Sequence, residues 1–166
     1  MKTKTIILDN KQIKNKIRRI AYQIYEENLN ENVVVIAGIE SNGFLFAKRL
    51  KTVIEKISPI KVMLCSVTIN KKQPISPVTT SLKPEEYKNK PLVLVDDVLH
   101  SGTTLIYGVK HFLDVPLKRF KTAVLVDRNH KKYPVKADYK GISLSTSMNE
   151  NVVVVFDKNK ISAFLE

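Results

Sequence analysis

Apolar residues in this chain follow two rhythms. Val33-Val34-Val35-Ile36-Ala37, Leu92-Val93-Leu94-Val95 and Thr122-Ala123-Val124-Leu125-Val126 are short runs with no polar alternation, the pattern of strands covered on both faces in a parallel sheet. Ile60 to Val67 reads as a further strand, Ile6 to Leu8 as a short one at the start, and Val152 to Phe156 as the last. Between the strands the spacing changes to three and four. Ile13, Ile17, Ile20, Ala21 and Ile24 make one stripe, while Lys14, Lys16, Arg18 and Arg19 fall outside it, so an amphipathic helix is predicted. Asp9 followed three residues later by Gln12 has the form of a capping box and predicts where that helix begins. Phe44, Leu45, Ala47 and Leu50, after Gly43, predict a second helix, and Leu105 to Leu113 another. Alternating strands and helices of this kind predict an α/β fold around a parallel sheet.

Two stretches break the rhythm. Asn70 to Leu82 is polar and carries Pro74 and Pro77, which excludes a regular element and suggests a lid over an active site. Beyond Asp127 the chain turns irregular and charged before its last strand, and this tail is expected to form a small C-terminal flap or hood. No repeat and no linker divides the chain, so residues 1–166 are expected to form one domain.

Composition narrows the classes. No apolar stretch approaches the ~20 residues of a membrane span, and the start of the chain lacks a secretory pattern, so a soluble, cytoplasmic protein with no membrane partner is expected. The single cysteine, Cys65, lies in a strand-like run and reads as an apolar filler. Twenty-eight Lys and Arg against 16 Asp and Glu leave a formal charge of +12, which favours polyanionic ligands. The lysines are scattered, so part of this charge is simply solvated surface.

In parallel sheets ligands gather beyond the carboxyl ends of the strands, and one such end stands out. Leu92 to Val95 runs through Asp96 and Asp97, then Val98, Leu99 and His100, into Ser101-Gly102-Thr103-Thr104 at the start of a helix. A small, hydroxyl-rich turn at a helix N-terminus offers free N–H groups and a favourable dipole to a phosphate. Adjacent carboxylates would repel that phosphate. They suit the vicinal hydroxyls of a ribose instead, because ionised carboxylates only accept, and they would stabilise positive charge developing on the sugar ring. Together the two halves point to a phosphoribosyl group. The strings of a dinucleotide-binding turn and of a P-loop are absent.

Leu92 to Thr104 resembles the 13-residue signature for 5-phosphoribosyl-1-pyrophosphate (PRPP) of type I phosphoribosyltransferases. With Ala123 to Arg128 and His130, Ala137-Asp138-Tyr139 and Gly141, and Ile6 to Asp9, the chain is similar nearly throughout to the bifunctional pyrimidine operon attenuator and uracil phosphoribosyltransferase family. The resemblance implies that family's fold, Mg²⁺ carried by the substrate without a dedicated protein metal site, a homodimer or higher assembly, and PRPP and uracil as substrates. It assigns pyrophosphate to the loop Glu40-Ser41-Asn42-Gly43, and PRPP to His100, Ser101, Gly102, Thr103 and Thr104. Asp96 and Asp97, with Lys71 and Lys72 of the lid, are the expected catalytic groups. Asp127, Arg128 and His130 follow a strand end and are candidates for the wall facing the base. An alternative role, a nucleotide-sensing regulator that binds RNA, would use Arg18, Arg19 and Lys16 with Lys131, Lys132 and Lys136. The chain also departs from the family. Glu40 to Asn42 stand where a lysine, a threonine and an arginine are usual, Thr103 replaces an arginine, and the lid has no arginine. Bidentate anion pairing is thereby lost and backbone N–H groups must carry more of the contact.

Overall fold

The computed structural model describes residues 3–147 and 150–166. Its elements in chain order are β1 (Thr5–Leu8), α1 (Asn10–Glu27), β2 (Val33–Ile39), α2 (Asn42–Ile57), β3 (Lys61–Thr68), β4 (Thr79–Thr80), α3 (Pro84–Tyr87), β5 (Pro91–Leu99), α4 (Thr103–Phe112), β6 (Arg119–Asp127), β7 (Tyr139–Ser143), β8 (Val152–Phe156) and β9 (Ile161–Leu165). Five strands, in the order β3-β2-β5-β6-β7, pair in parallel, and β4 adds an antiparallel edge beside β3. The strands read as uninterrupted apolar runs lie at the centre, where both faces are covered.

Helices cover the two faces separately. On one face α1 buries Ile13, Ile17, Ile20, Ala21 and Ile24 together with Phe46, Ala47, Leu50 and Ile54 of α2 against Val34, Ile36, Val93 and Val95. On the other, Tyr87, Leu105 and Phe112 pack on Val35, Ala37, Leu92 and Leu94. The capping box forms as the sequence predicts: Gln12 N–H donates to Asp9 Oδ1 at 2.8 Å, and Asp9 N–H donates to Gln12 Oε1 at 2.9 Å. Phe46, unnamed in the sequence pattern, is fully buried, whereas Phe44 and Leu45 are half-buried.

The irregular tail holds more order than its composition suggests. β7 joins the parallel sheet beside β6, and β8 and β9 form an antiparallel hairpin. β1 pairs with β9 and not with the main sheet. The result is a three-stranded hood, ordered β1-β9-β8, built from both ends of the chain. Val152, Val154, Ile161 and Ala163 of the hood share the core of α1 and α2. Among the described residues no helix is long and apolar enough to cross a membrane.

Candidate active site

β5 does not stop at Val95. It continues through both carboxylates to Leu99, with Asp96 opposite Val124 and Val98 opposite Val126 of β6. Asp96 and Asp97 are therefore held by the sheet and not by a turn. Asp96 is buried, and its Oδ1 accepts the Asp97 N–H at 2.9 Å. Burial and then the neighbouring Asp97 push its carboxyl well above the ordinary carboxylate range. Asp97 is half-buried and turns Oδ2 toward Asn42, whose Nδ2 donates to it at 3.2 Å. Gly43 is the contact point beneath. A Cβ there would lie 2.8 Å from the Val95 carbonyl oxygen and 3.0 Å from Asp96 Cα, so the α2 N-terminus approaches β5 as closely as only glycine permits.

Past Leu99 the chain turns into α4. Gly102 sits at the N-cap with φ +85°, and Ile106 N–H closes the first turn on its carbonyl at 2.9 Å. The Ser101 hydroxyl lies 2.8 Å from the Thr103 hydroxyl and accepts the Thr103 N–H at 3.3 Å. The segment after β6 clamps this turn: the N–H groups of Lys132 and Tyr133 donate to the Ser101 carbonyl at 2.7 and 3.2 Å. The remaining N–H groups of the first helical turn are the orphan donors of any helix start, open to an anion.

A cavity of about 240 Å³ joins these parts. Asp96, Asp97 and His100 to Thr104 line it, Asn42 and Lys71 enter from the first residue of α2 and from the lid, and Val152 to Val154 of the hood form the far wall. β8 is an edge strand, so part of its backbone faces this space. Val98 and Leu99 belong to the segment marked in the sequence, whereas the hood wall and Val124 were not legible as part of the site, because nothing in a run of valines marks which edge of a strand will be left open.

Other expected site residues lie elsewhere. Glu40 is exposed and accepts from the Thr68 hydroxyl at 3.2 Å, at the root of the lid. Ser41 is the N-cap of α2 without a side-chain cap bond. Lys72 does not reach the cavity lining; its N–H donates to Asn70 Oδ1 at 3.0 Å in a tight turn of the lid. Asp127 is buried, accepts the Asn129 N–H at 2.9 Å and faces Lys140 at 4.0 Å. Arg128 is buried behind His100 and spends its guanidinium on His100, Thr146, Ser147 and Glu150. His130 is half-buried in the following bend, outside the cavity lining. Arg19 donates to the carbonyls of Lys140 and Gly141 at 3.0 and 2.8 Å, which ties α1 to β7, while Arg18 faces α2 across a groove.

A parallel sheet that delivers two carboxylates beside an open helix start, under a hood, is the architecture of type I phosphoribosyltransferases. Solved structures agree in fold. A hypoxanthine-guanine phosphoribosyltransferase of Bacillus anthracis superposes with TM-score 0.74 at 24% identity over 90% of this chain and 86% of that one. The hypoxanthine phosphoribosyltransferase of Trypanosoma cruzi gives 0.78 at 17% identity over 96% and 95%. The phosphoribosyl transferase domain family matches residues 3–159. The bifunctional protein PyrR of Macrococcus caseolyticus is 35% identical over 93% of both chains, and that of Bacillus subtilis is 34% identical over 95% of this chain and 93% of its own. The chain belongs to the phosphoribosyl transferase family and, within it, to the group of the PyrR proteins.

Proposed function

We propose that this protein transfers the 5-phosphoribosyl group of PRPP to a ring nitrogen of uracil and releases pyrophosphate, in the cytoplasm and as one domain. One observation carries the reading: a single cavity brings the Asp96–Asp97 pair and the open start of α4 together, the two halves a ribose phosphate requires. The 5′-phosphate takes the N–H and hydroxyl groups of Ser101 to Thr104. The ribose hydroxyls face Asp97. As the bond from C1 to pyrophosphate breaks and the bond to the base nitrogen forms, positive charge grows on the ring, and the Asp97 carboxylate stabilises it. Lys71, on the exposed lid, covers the pyrophosphate as a point charge. Lid and hood keep out water that would hydrolyse PRPP. A Mg²⁺ ion brought in on the diphosphate would supply charge neutralisation of the leaving group. Asp127 and Arg128, buried in their own contacts, support the wall beside the base and leave its recognition to the exposed edge of β8. The test is pyrophosphate release from PRPP with uracil, hypoxanthine, guanine and orotate. Release with uracil above the others supports the reading, and no release with any base rejects it.

A second activity has one observation in its favour. A groove of about 790 Å³ between α1 and α2 is lined by Lys14, Arg18, Arg49 and Lys56, with Tyr22 under the Arg18 guanidinium at 5.6 Å. Cations with an aromatic among them suit a single-stranded nucleic acid. We infer that RNA binding runs along this groove, on a homodimer or larger assembly. Arg19 and Lys136 stand apart from it, Lys136 pairing with Asp138 at 3.7 Å. Gel-shift binding to a panel of RNAs across a salt series, alongside sizing by light scattering, decides the matter. Equal weak affinity for every RNA leaves only unspecific charge.

A further inference from the structure

Arg128 is the one buried cation among the described residues, and no carboxylate among them pairs with it. Its Nε donates to the Thr146 hydroxyl at 3.0 Å, and its Nη2 to the carbonyls of Ser147, at 3.3 Å, and Glu150. Its Nη1 meets His100 Nδ1 at 2.9 Å. An arginine can only donate, so His100 Nδ1 must present its lone pair and the ring proton must sit on Nε2. That Nε2 has no protein partner among the described residues, and His100 lines the cavity. Accepting a hydrogen bond from a cation draws electron density out of the ring and makes the opposite N–H a stronger donor. A buried cation with only neutral partners in turn gains from an anion nearby.

We propose that His100 is a neutral relay, accepting from Arg128 at Nδ1 and donating from Nε2 to the phosphate of the ligand, so that Arg128 acts on an anion it never touches. Arg128 is thus a positioning residue: it sets the imidazole tautomer and holds Thr146, Ser147 and Glu150 ahead of the hood at the same place. The proposal rests on the phosphoribosyl reading of the cavity. The charged and titratable groups around the ring are Arg128 behind it, Asp97 on β5, Lys71 on the lid and Glu150 on the far side of the guanidinium. Burial and then Arg128 hold the ring below the ordinary histidine value, Lys71 adds to this, and Asp97 opposes it. A proton on Nδ1 would set N–H against N–H, so the Arg128 contact disfavours the imidazolium.

The experiment uses the full chain with ¹⁵N-histidine and ribose 5-phosphate as the probe. In the free protein, long-range ¹H–¹⁵N spectra show His100 with Nδ1 bare and Nε2 protonated, and saturation with ribose 5-phosphate moves the Nε2 signals. Asparagine places an amide where Nδ1 was and glutamine where Nε2 was, so His100→Asn keeps only the Arg128 end of the relay and His100→Gln only the ligand end. Both bind ribose 5-phosphate about five-fold more weakly or worse. Wild-type affinity in His100→Gln shows that Arg128 contributes nothing, wild-type affinity in His100→Asn shows that the ring only anchors Arg128, and a proton on Nδ1 contradicts the geometry: each overturns the proposal. If the tautomer is as stated but ribose 5-phosphate does not bind, the relay has no ligand and falls, whereas the transferase reading stands or falls by pyrophosphate release.

Discussion

Asn42 Nδ2 donates to Asp97 Oδ2 at 3.2 Å, and the same nitrogen donates to the carbonyl of Val154 at 2.8 Å. One amide therefore holds a carboxylate of the site and a strand of the hood in register. Where an arginine would extend toward pyrophosphate, the shorter side chain braces the cavity from within.

Asn42→Ala removes both bonds at a half-buried position. Stability should drop by about 1–2 kcal/mol and turnover by at least about ten-fold, because Asp97 loses its orientation. Asn42→Asp should be worse, since it sets an acceptor against two acceptors. Thermal unfolding and steady-state pyrophosphate release check both.

The Asp96 carboxyl is raised by burial and by Asp97, so the folded chain holds a proton that the unfolded chain gives up near the ordinary value of 3.8. The folded state binds more protons, and this group's contribution to stability falls as pH climbs from that value toward the raised one. Asp96→Asn has no such loss. Urea unfolding at pH 4.5 and 7.5 should show the variant gaining on the wild type as pH rises, and a difference independent of pH would refute the shift.

Two glycines should respond differently to alanine. At Gly102 the cost is mainly the positive φ, about 1–2 kcal/mol, because the facing atom at 2.7 Å is a terminal methyl of Val135 that can turn away. At Gly43 the facing atoms are backbone of Val95 and Asp96, and α2 must lift off β5. Gly43→Ala should cost about 2–3 kcal/mol or more and weaken PRPP binding, read by calorimetry beside thermal unfolding.

The two arginines side by side on α1 should separate in function. Arg18→Gln with Arg49→Gln should weaken RNA binding across sequences and lower the salt slope by about 0.7 per lost contact, with little change in unfolding. Arg19→Ala should do the reverse and destabilise by about 1–2 kcal/mol, because it leaves two carbonyls of β7 without their donor. Filter binding over a salt series and thermal unfolding distinguish them.

The runs at Val33, Leu92 and Thr122, the stripe of isoleucines, the Asp9–Gln12 cap and the strand-turn-helix of Leu92 to Thr104 were all legible in the sequence, because each is decided by neighbours a few residues away. Burial on both faces writes itself as an apolar run, and a helix start needs its cap within one turn. The same locality explains why Asp96, Asp97 and Ser101 to Thr104 read as one candidate site in the sequence.

What only the tertiary structure decided joins residues far apart in the chain. β1 and β9 pair across the whole length of the protein. Asn42 reaches Asp97 and Val154, and Arg128 turns from the cavity to grip His100 and the approach to the hood. Arg18 and Arg19, neighbours in sequence, point to different partners because successive helical residues are turned about 100° apart. Donors such as an asparagine amide or a guanidinium accept many partners equally well, so their choice follows from where packing of the apolar strands and helices happens to leave them.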